Sequence, residues 1–345
     1  MTRSWDVGAH LYGVPVLARR LAAGAVTLLG LVACAASGTT PAAVPESPTA
    51  VAEESPTVGA SPTLACDEPC YGEAETVGML SRDVVVEASG VAASHRTSGA
   101  YYVISDEPGT DEVVAVREDG RLVVRIGVSG MSAENAEALA VGPCGPSGSG
   151  QCIFVGDIGD HVGRADVVVY RFPEPDLTAV MENAVAADAV RYTYPDAPTD
   201  AEALIVDDSG RPLIVSKAAF DEASATTGPT RLYRGDPDGG VLDLLGEVDL
   251  PDPDRPVFTG IAGNVVTDAS STDGRVLLRT YDQVLEYRAP DAGADLGGFP
   301  GWPLREVSAP SQIQSEAVGY RPDACGYVTI SEFTGSIAAV GCRPS

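Results

Sequence analysis

One short phrase recurs along the chain and limits what it can fold into. It consists of a small or polar residue, a Glu, a run of small apolar residues, and then a strand-like segment ending in charge. It reads Asn135-Ala136-Glu137-Ala138-Leu139-Ala140-Val141 and closes at Val155-Gly156-Asp157-Ile158-Gly159-Asp160. It reads again as Ala201-Glu202-Ala203-Leu204 before Leu213 to Lys217, and as Ser315-Glu316-Ala317-Val318 before Tyr327 to Glu332. Two weaker copies, with Gly in place of the Glu, start at Ser89-Gly90-Val91 and Thr259-Gly260-Ile261. Counted from Gly90 through Glu137, Glu202 and Gly260 to Glu316, the copies lie 47, 65, 58 and 56 residues apart. Such a period marks a repeat architecture in which one supersecondary unit is copied.

Each copy opens a set of short β-rich runs bounded by Gly, Pro, Asp or Asn, and none carries a long 3.6-residue period. The class is therefore all-β. The first repeat predicts strands at Gly90 to Ala93, Tyr101 to Ser105, Val113 to Arg117 and Leu122 to Ile126. The second predicts Leu139 to Val141, Ile153 to Gly156, Val167 to Phe172 and Val190 to Tyr194. The third runs from Ala203 to a last strand at Val241 to Val248, and the fourth starts at Ile261. Four strands per repeat is the content of a propeller blade. The motif count predicts five blades, or six if one repeat has lost its marker. The fifth repeat has three strands after Ala317, and Glu75 to Leu80 is a source for its outer strand. Ala179 to Ala187 is the one stretch with a helical turn in prospect.

In a blade the innermost strand and its neighbour are antiparallel, so the start of the first lies beside the end of the second. Each repeat then places two polar positions at one mouth of a central channel. The expected pairs are Gly90 with Asp106, Glu137 with Asp157 and Asp160, Glu202 with Lys217, Thr259 with Arg279 or Tyr281, and Glu316 with Glu332. Asp200 stands beside Glu202, and Lys217 is the only lysine in the chain. An acidic ring with one Lys and one Arg is the expected ligand mouth. Glu137, Asp157 and Asp160 are its metal-ligand candidates, with calcium as the ion to test, and Asp-Ile-Gly-Asp equally suits a capped loop.

The chain's start reads differently. Arg19-Arg20, the apolar run Leu21 to Val32 and Leu31-Val32-Ala33-Cys34 form a basic region, a hydrophobic region and a cleavage site, too short for a spanning helix. A Cys directly after Leu-Val-Ala resembles the lipobox of bacterial lipoproteins. That resemblance implies a signal peptide over 1–33, lipidation at Cys34 and retention on the outer face of the plasma membrane. Residues 34–65 hold the lipidated Cys and a flexible Ala/Pro/Ser/Thr linker without hydrophobic period. The propeller domain takes 66–345. With Cys34 assigned to lipid, six of the seven cysteines remain. Local hairpin logic pairs Cys66 with Cys70, Cys144 with Cys152 and Cys325 with Cys342, one of 15 connectivities open to six cysteines.

The formal net charge is -27. Removing residues 1–33 takes away three Arg and one Asp, leaving -29. Nucleic acid and anionic headgroups are repelled by such a chain, while cations and basic protein faces are favoured.

The runs Ser89 to Ser94, Val155 to Asp160, Val169-Tyr170-Arg171-Phe172-Pro173-Glu174-Pro175 and Tyr192 to Leu204 carry a family likeness. They resemble a group of actinobacterial exported propeller-like lipoproteins, themselves distantly similar to β-propeller phytases and phytase-like esterase domains. Asn135-Ala136 stands where that group usually has Asp-Trp, and His161 and Ser105 where it has Asn. The expectation is a lipid-anchored, monomeric binding propeller whose acidic mouth takes a small ligand or a protein partner. The alternative is a calcium-dependent phosphoesterase, with Lys217 and Arg279 as phosphate contacts. A third reading makes the Glu residues strand-end caps. The motif set holds no Gly-x-Ser-x-Gly elbow, and His95 and His161 have no evident triad partners.

Overall fold

The computed structural model describes residues 71–146, 150–179 and 184–342. The signal segment, Cys34, the linker, Cys66 and Cys70 lie outside the described residues. Five main antiparallel sheets follow one another along the chain, their strands ordered from the axis outward. Blade 1 is Ala88–Ala93, Ala100–Ser105, Glu112–Arg117 and Leu122–Ser129; blade 2 is Ala136–Pro143, Gln151–Asp157, Val167–Pro173 and Asp188–Thr193. Blade 3 is Ala201–Val206, Pro212–Ser216, Thr230–Arg234 and Asp243–Val248; blade 4 is Val266–Thr272, Arg275–Thr280, Val284–Arg288 and Leu304–Val307. Blade 5 is Ser315–Tyr320, Gly326–Ser331 and Ser336–Cys342, completed by Tyr71–Met79 as its outer strand. That last pairing sets Tyr71 opposite Cys342 and Met79 opposite Ser336. The inner strands touch in chain order, and blade 5 returns to blade 1. The fold is a five-bladed β-propeller.

The inner strands are short and rich in Ala and Gly because they crowd around the axis. Ala88–Ala93, Ala201–Val206 and Ser315–Tyr320 are buried at every position. A Cβ on Gly90 would sit 2.6 Å from the Leu139 amide nitrogen, and one on Gly319 would sit 2.9 Å from the Val91 carbonyl oxygen. Backbone meets backbone at both places, so a side chain there would push neighbouring blades apart.

Outward from the axis the strands turn β-branched and aromatic, and stability comes from five apolar clusters packed mainly between adjacent blades. Tyr102, Ile126 and Phe172 meet between blades 1 and 2, and Leu204, Phe154 and Tyr233 between blades 2 and 3. Leu278, Tyr287 and Phe299 belong to the cluster of blades 3 and 4. Each fully buried side chain of this size contributes about 1.5–3 kcal/mol.

Three expectations change. The fourth inner strand is Val266–Thr272, while Thr259–Ala262, read as its start, is a single helical turn. Val241 to Val248 divides: Gly240–Val241 adds a parallel edge to blade 2, and Asp243–Val248 is the outer strand of blade 3. Within Ala179 to Ala187 the described residues are Ala179, in a turn closed by its amide on the Asp176 carbonyl, and 184–187, which hold a two-residue strand, Val185–Ala186, parallel to Val128 and Ser129.

Candidate functional site

The mouth is the end of the channel at which the inner strands begin. Each inner strand carries a β-bulge there, and it falls at the same place in all five blades. The register slips between Ala88 and Gly90, Ala136 and Ala138, Ala201 and Ala203, Val266 and Asp268, and Ser315 and Ala317. The extra residues are Ser89, Glu137, Glu202, Thr267 and Glu316. A bulge re-aims the side chain it carries and bends the strand. Here it lifts one polar side chain per blade out of the ladder, which explains a Glu inside an otherwise apolar run.

The ring positions of blades 1 and 4 are therefore Ser89 and Thr267, in place of Gly90 and Thr259. Ser89 Oγ donates to Glu137 Oε2 at 2.5 Å, tying blade 1 to blade 2. Thr267 Oγ1 donates to the carbonyl oxygens of Ser315 and Glu316 at 3.1 and 3.0 Å, tying blade 4 to blade 5. Aligning Ala88-Ser89-Gly90-Val91 with Ala136-Glu137-Ala138-Leu139 identifies the first. The second is hidden, because Val266-Thr267-Asp268 replaces both the Glu and the small residue after it.

Lys217 forms an ion pair with Glu202, and its Nζ lies 3.3 Å from Tyr281 Oη. Burial works against the charge on Lys217, but attraction to Glu202, Tyr281 and Glu316 carries its pKa well above the usual lysine value. Burial likewise pushes Glu202, Glu137 and Glu332 above the usual carboxylate range. Glu316 is pushed up to about 8 by burial, against the pull of Lys217 and with the help of Glu332 and Glu137. Asp106 rises to about 7 through burial, then Glu137, Glu332 and Glu87. Lys217 lowers the pKa of Glu137, Glu202, Glu316 and Glu332, so one cation serves four carboxyls.

The remaining expected residues fall into separate settings. Asp157 Oδ1 takes the Asn135 amide at 2.9 Å and an ion pair from Arg164 at 2.8 Å. Asp160 accepts the amides of Val162, Gly163 and Arg164, and Asp200 accepts that of Asp160. Asp157 and Asp160 thus shape the loop after the second strand of blade 2, while Glu137 bonds Ser89 and Asn135. Among the described residues, the carboxylates whose ligand atoms all approach within 4.8 Å of one another are Glu87, Asp106 and Glu332. Arg279, expected at the mouth, is 0% exposed. It shares a face of its sheet with Asp268, whose carboxylate reaches the Val318 amide of blade 5, so it is buried between blades. Burial lowers its pKa to about 10, and none of its guanidinium nitrogens has a partner.

Beside the ring a cavity of about 600 Å³ opens between the loops of blades 2, 3 and 4, lined by Asp160, His161, Asp200, Lys217, Phe220 and Arg231. Several loops that end at the mouth also carry exposed apolar side chains, namely Val86, Val162, Val257, Ile261, Ile313 and Phe333. The disulfides Cys144–Cys152 and Cys325–Cys342 sit at the far end of blades 2 and 5.

No family model matches the sequence, and no curated protein matches it. Solved structures with a similar chain include the crystal structure of a nidogen/laminin complex, at 10% identity and a TM-score of 0.39, covering 73% of this chain and 74% of that one. Another is the beta-propeller domain of Cps50 (Swd1) from Myceliophteria thermophila, at 12% identity and a TM-score of 0.37, covering 79% of this chain and 100% of that one. Hydrazine synthase of Kuenenia stuttgartiensis follows at 11% and 0.35, covering 72% and 69%. At such scores and identities these likenesses say nothing of what this chain binds.

Proposed function

We propose that the chain is a lipid-anchored, extracytoplasmic binding propeller that receives a basic segment of a partner protein at its acidic mouth. The observation that carries this reading is the bulge-built ring: Glu137, Glu202 and Glu316, with Asp106 and Glu332 beside them, converge on one end of the channel with Lys217 as their common counter-charge. A cationic side chain entering there meets carboxyls already removed from water, where its field is worth more than at an open surface. The exposed apolar residues on the surrounding loops suit a protein partner better than a free metabolite, because they offer area around a charged centre. The lipidated Cys34 and the linker hold this surface outside the cell.

The test is a peptide array in which apolar hexapeptides differ in one central residue, Arg, Lys, Gln or Glu. Arg- and Lys-centred peptides are expected to bind, more weakly as salt rises, and to lose binding with Glu137→Gln or Glu202→Gln. Equal binding of Glu-centred peptides would remove the reading. A phosphoesterase has less support. Arg279 is unpaired but buried, and Lys217 is paired with Glu202, so neither expected phosphate contact is both exposed and unpaired. The capping reading also has less support, because the partners of Glu137 and Glu202 are side chains.

A further inference from the structure

We infer that Glu87, Asp106 and Glu332 form a site for a divalent cation of the calcium class, where blade 5 meets blade 1. Glu87 directly precedes the inner strand of blade 1, Asp106 directly follows its second strand, and Glu332 directly follows the second strand of blade 5. Three strand ends from two adjacent blades thus bring one carboxylate oxygen each to within 4.8 Å of the others. Oxygens that share a calcium ion at about 2.4 Å have this mutual spacing, since two such radii bound their separation. The donor set is all oxygen, with no His or Cys, which favours a hard ion over zinc.

Two further observations point to a ligand. Glu316, 4% exposed and a member of the bulge ring, shares a side-chain hydrogen bond with Glu332, and its Oε2 has no other donor. Asp106 Oδ1 is also buried without a partner. Buried acceptors are normally satisfied, and leaving one bare is unfavourable. The ion pairs of the described residues involve none of Glu87, Asp106, Glu316 and Glu332. Besides Glu316, Glu332 has one neutral donor, Gln314 Nε2 at 2.5 Å. Among the described residues the positive charges acting on these four carboxyls are Lys217, paired to Glu202, and Arg82, both acting without a direct ion pair; a doubly charged ion would add charge at the cluster itself and coordinate the bare oxygens. Glu137, Asp157 and Asp160 have no such vacancy in charge, because Arg164, Asn135, Ser89 and loop amides already serve them.

This inference concerns the same mouth as the proposed partner site but does not depend on it. The test is calorimetric titration of the full chain with calcium chloride alone, beside thermal melts in calcium and in chelator. One calcium per chain, a higher melting temperature in calcium, and a weakening of about tenfold or more in Asp106→Asn, Glu332→Gln and Glu87→Gln are expected. Asp160→Asn should bind calcium as the parent does. Glu87 is only half-buried, so Glu87→Gln keeps the test open if a deeper variant fails to fold. Absence of calcium heat together with identical melts would overturn the site, as would calcium binding that all three amide variants leave unchanged. A melt that responds to pH but not to calcium would show a proton-sharing cluster and would overturn it equally. Calcium binding without preference for basic peptides would sink the partner reading and leave this one standing; the reverse outcome would do the opposite.

Discussion

Two carboxylates at opposite ends of the propeller, Glu174 buried and Asp282 partly exposed, show what a partner does for a charge. Glu174 Oε1 accepts from Ser94 Oγ, the amides of His95 and Arg96, and Tyr102 Oη, at 2.7 to 3.2 Å. It ties blade 2 to the turn after the inner strand of blade 1, and replacing it by Ala strands Ser94 Oγ and the His95 amide, while the Arg96 amide and Tyr102 Oη keep only Ser94 Oγ. Glu174→Ala is expected to lose about 3 kcal/mol in urea unfolding, at the upper end for a stranded buried group; a loss within error would show that water serves the turn as well. Asp282, at the mouth, accepts the amides of Val257, Phe258 and Thr259 and the Thr259 hydroxyl. Burial works against its charge, but the bonds from Thr259, Phe258 and Val257 prevail and hold its pKa below the usual aspartate value. A depressed folded pKa gives stability that is present above the unfolded value, about 3.9, and is lost as pH falls through the folded one. Hydrogen exchange at Val257 to Thr259 should therefore accelerate, beyond its intrinsic pH dependence, as pH drops below about 4. Asp282→Asn should abolish that response, and an unchanged profile in this variant would refute the assignment. Neither role was legible in the sequence, because both depend on contacts that span 23 residues or more. The three Glu of the ring were legible, since each breaks an apolar run at the same place in its repeat.

The strand that lines the axis is the element on which closure depends. Its small residues were readable as crowding, and the register at Gly90 bears this out in backbone distances. Gly90→Val is expected to destabilise the chain by roughly 3 kcal/mol, because neither the Leu139 amide nor its strand can retreat without parting blades 1 and 2. Normal stability for this variant would mean that the inner strands are looser than their spacing. The fourth inner strand shows why pattern alone misleads. Thr259-Gly260-Ile261-Ala262-Gly263 copies the weak motif of blade 1, yet Asp282 gathers its amides into a helical turn, and the strand begins seven residues later at Val266. A side chain from a distant turn outweighs local similarity there. The closing strand was legible because the last repeat is one strand short, a deficit that only the other end of the propeller can fill.

For the molecule as a whole, the formal charge of -27 is uneven in its effects. Among the described residues many acidic side chains face water on the loops, while those at the mouth are crowded and pushed above the usual carboxylate range by burial. Raising sodium chloride from about 20 to about 200 mM shortens the Debye length from roughly 20 Å to about 7 Å. The melting temperature in chelator should rise by a few degrees as this repulsion is screened; a fall would mean that attractive pairs dominate. Fold class and blade number were legible at this scale, since they follow from period and strand content. The juxtaposition of Glu87 with Glu332 was not, because it arises only when the ring closes and brings the first blade beside the last.

Ring closure also decides how the molecule carries load. Tyr71 lies opposite Cys342, at the end of blade 5 away from the mouth, and the strand runs from there toward Met79 at the mouth end. A partner held at the mouth and a pull applied at Tyr71 therefore draw this strand partly along its own length. Ladder bonds stand perpendicular to the strand, so such a force shears them together instead of peeling them singly. The latch of the ring is thus set in the orientation that resists tension best.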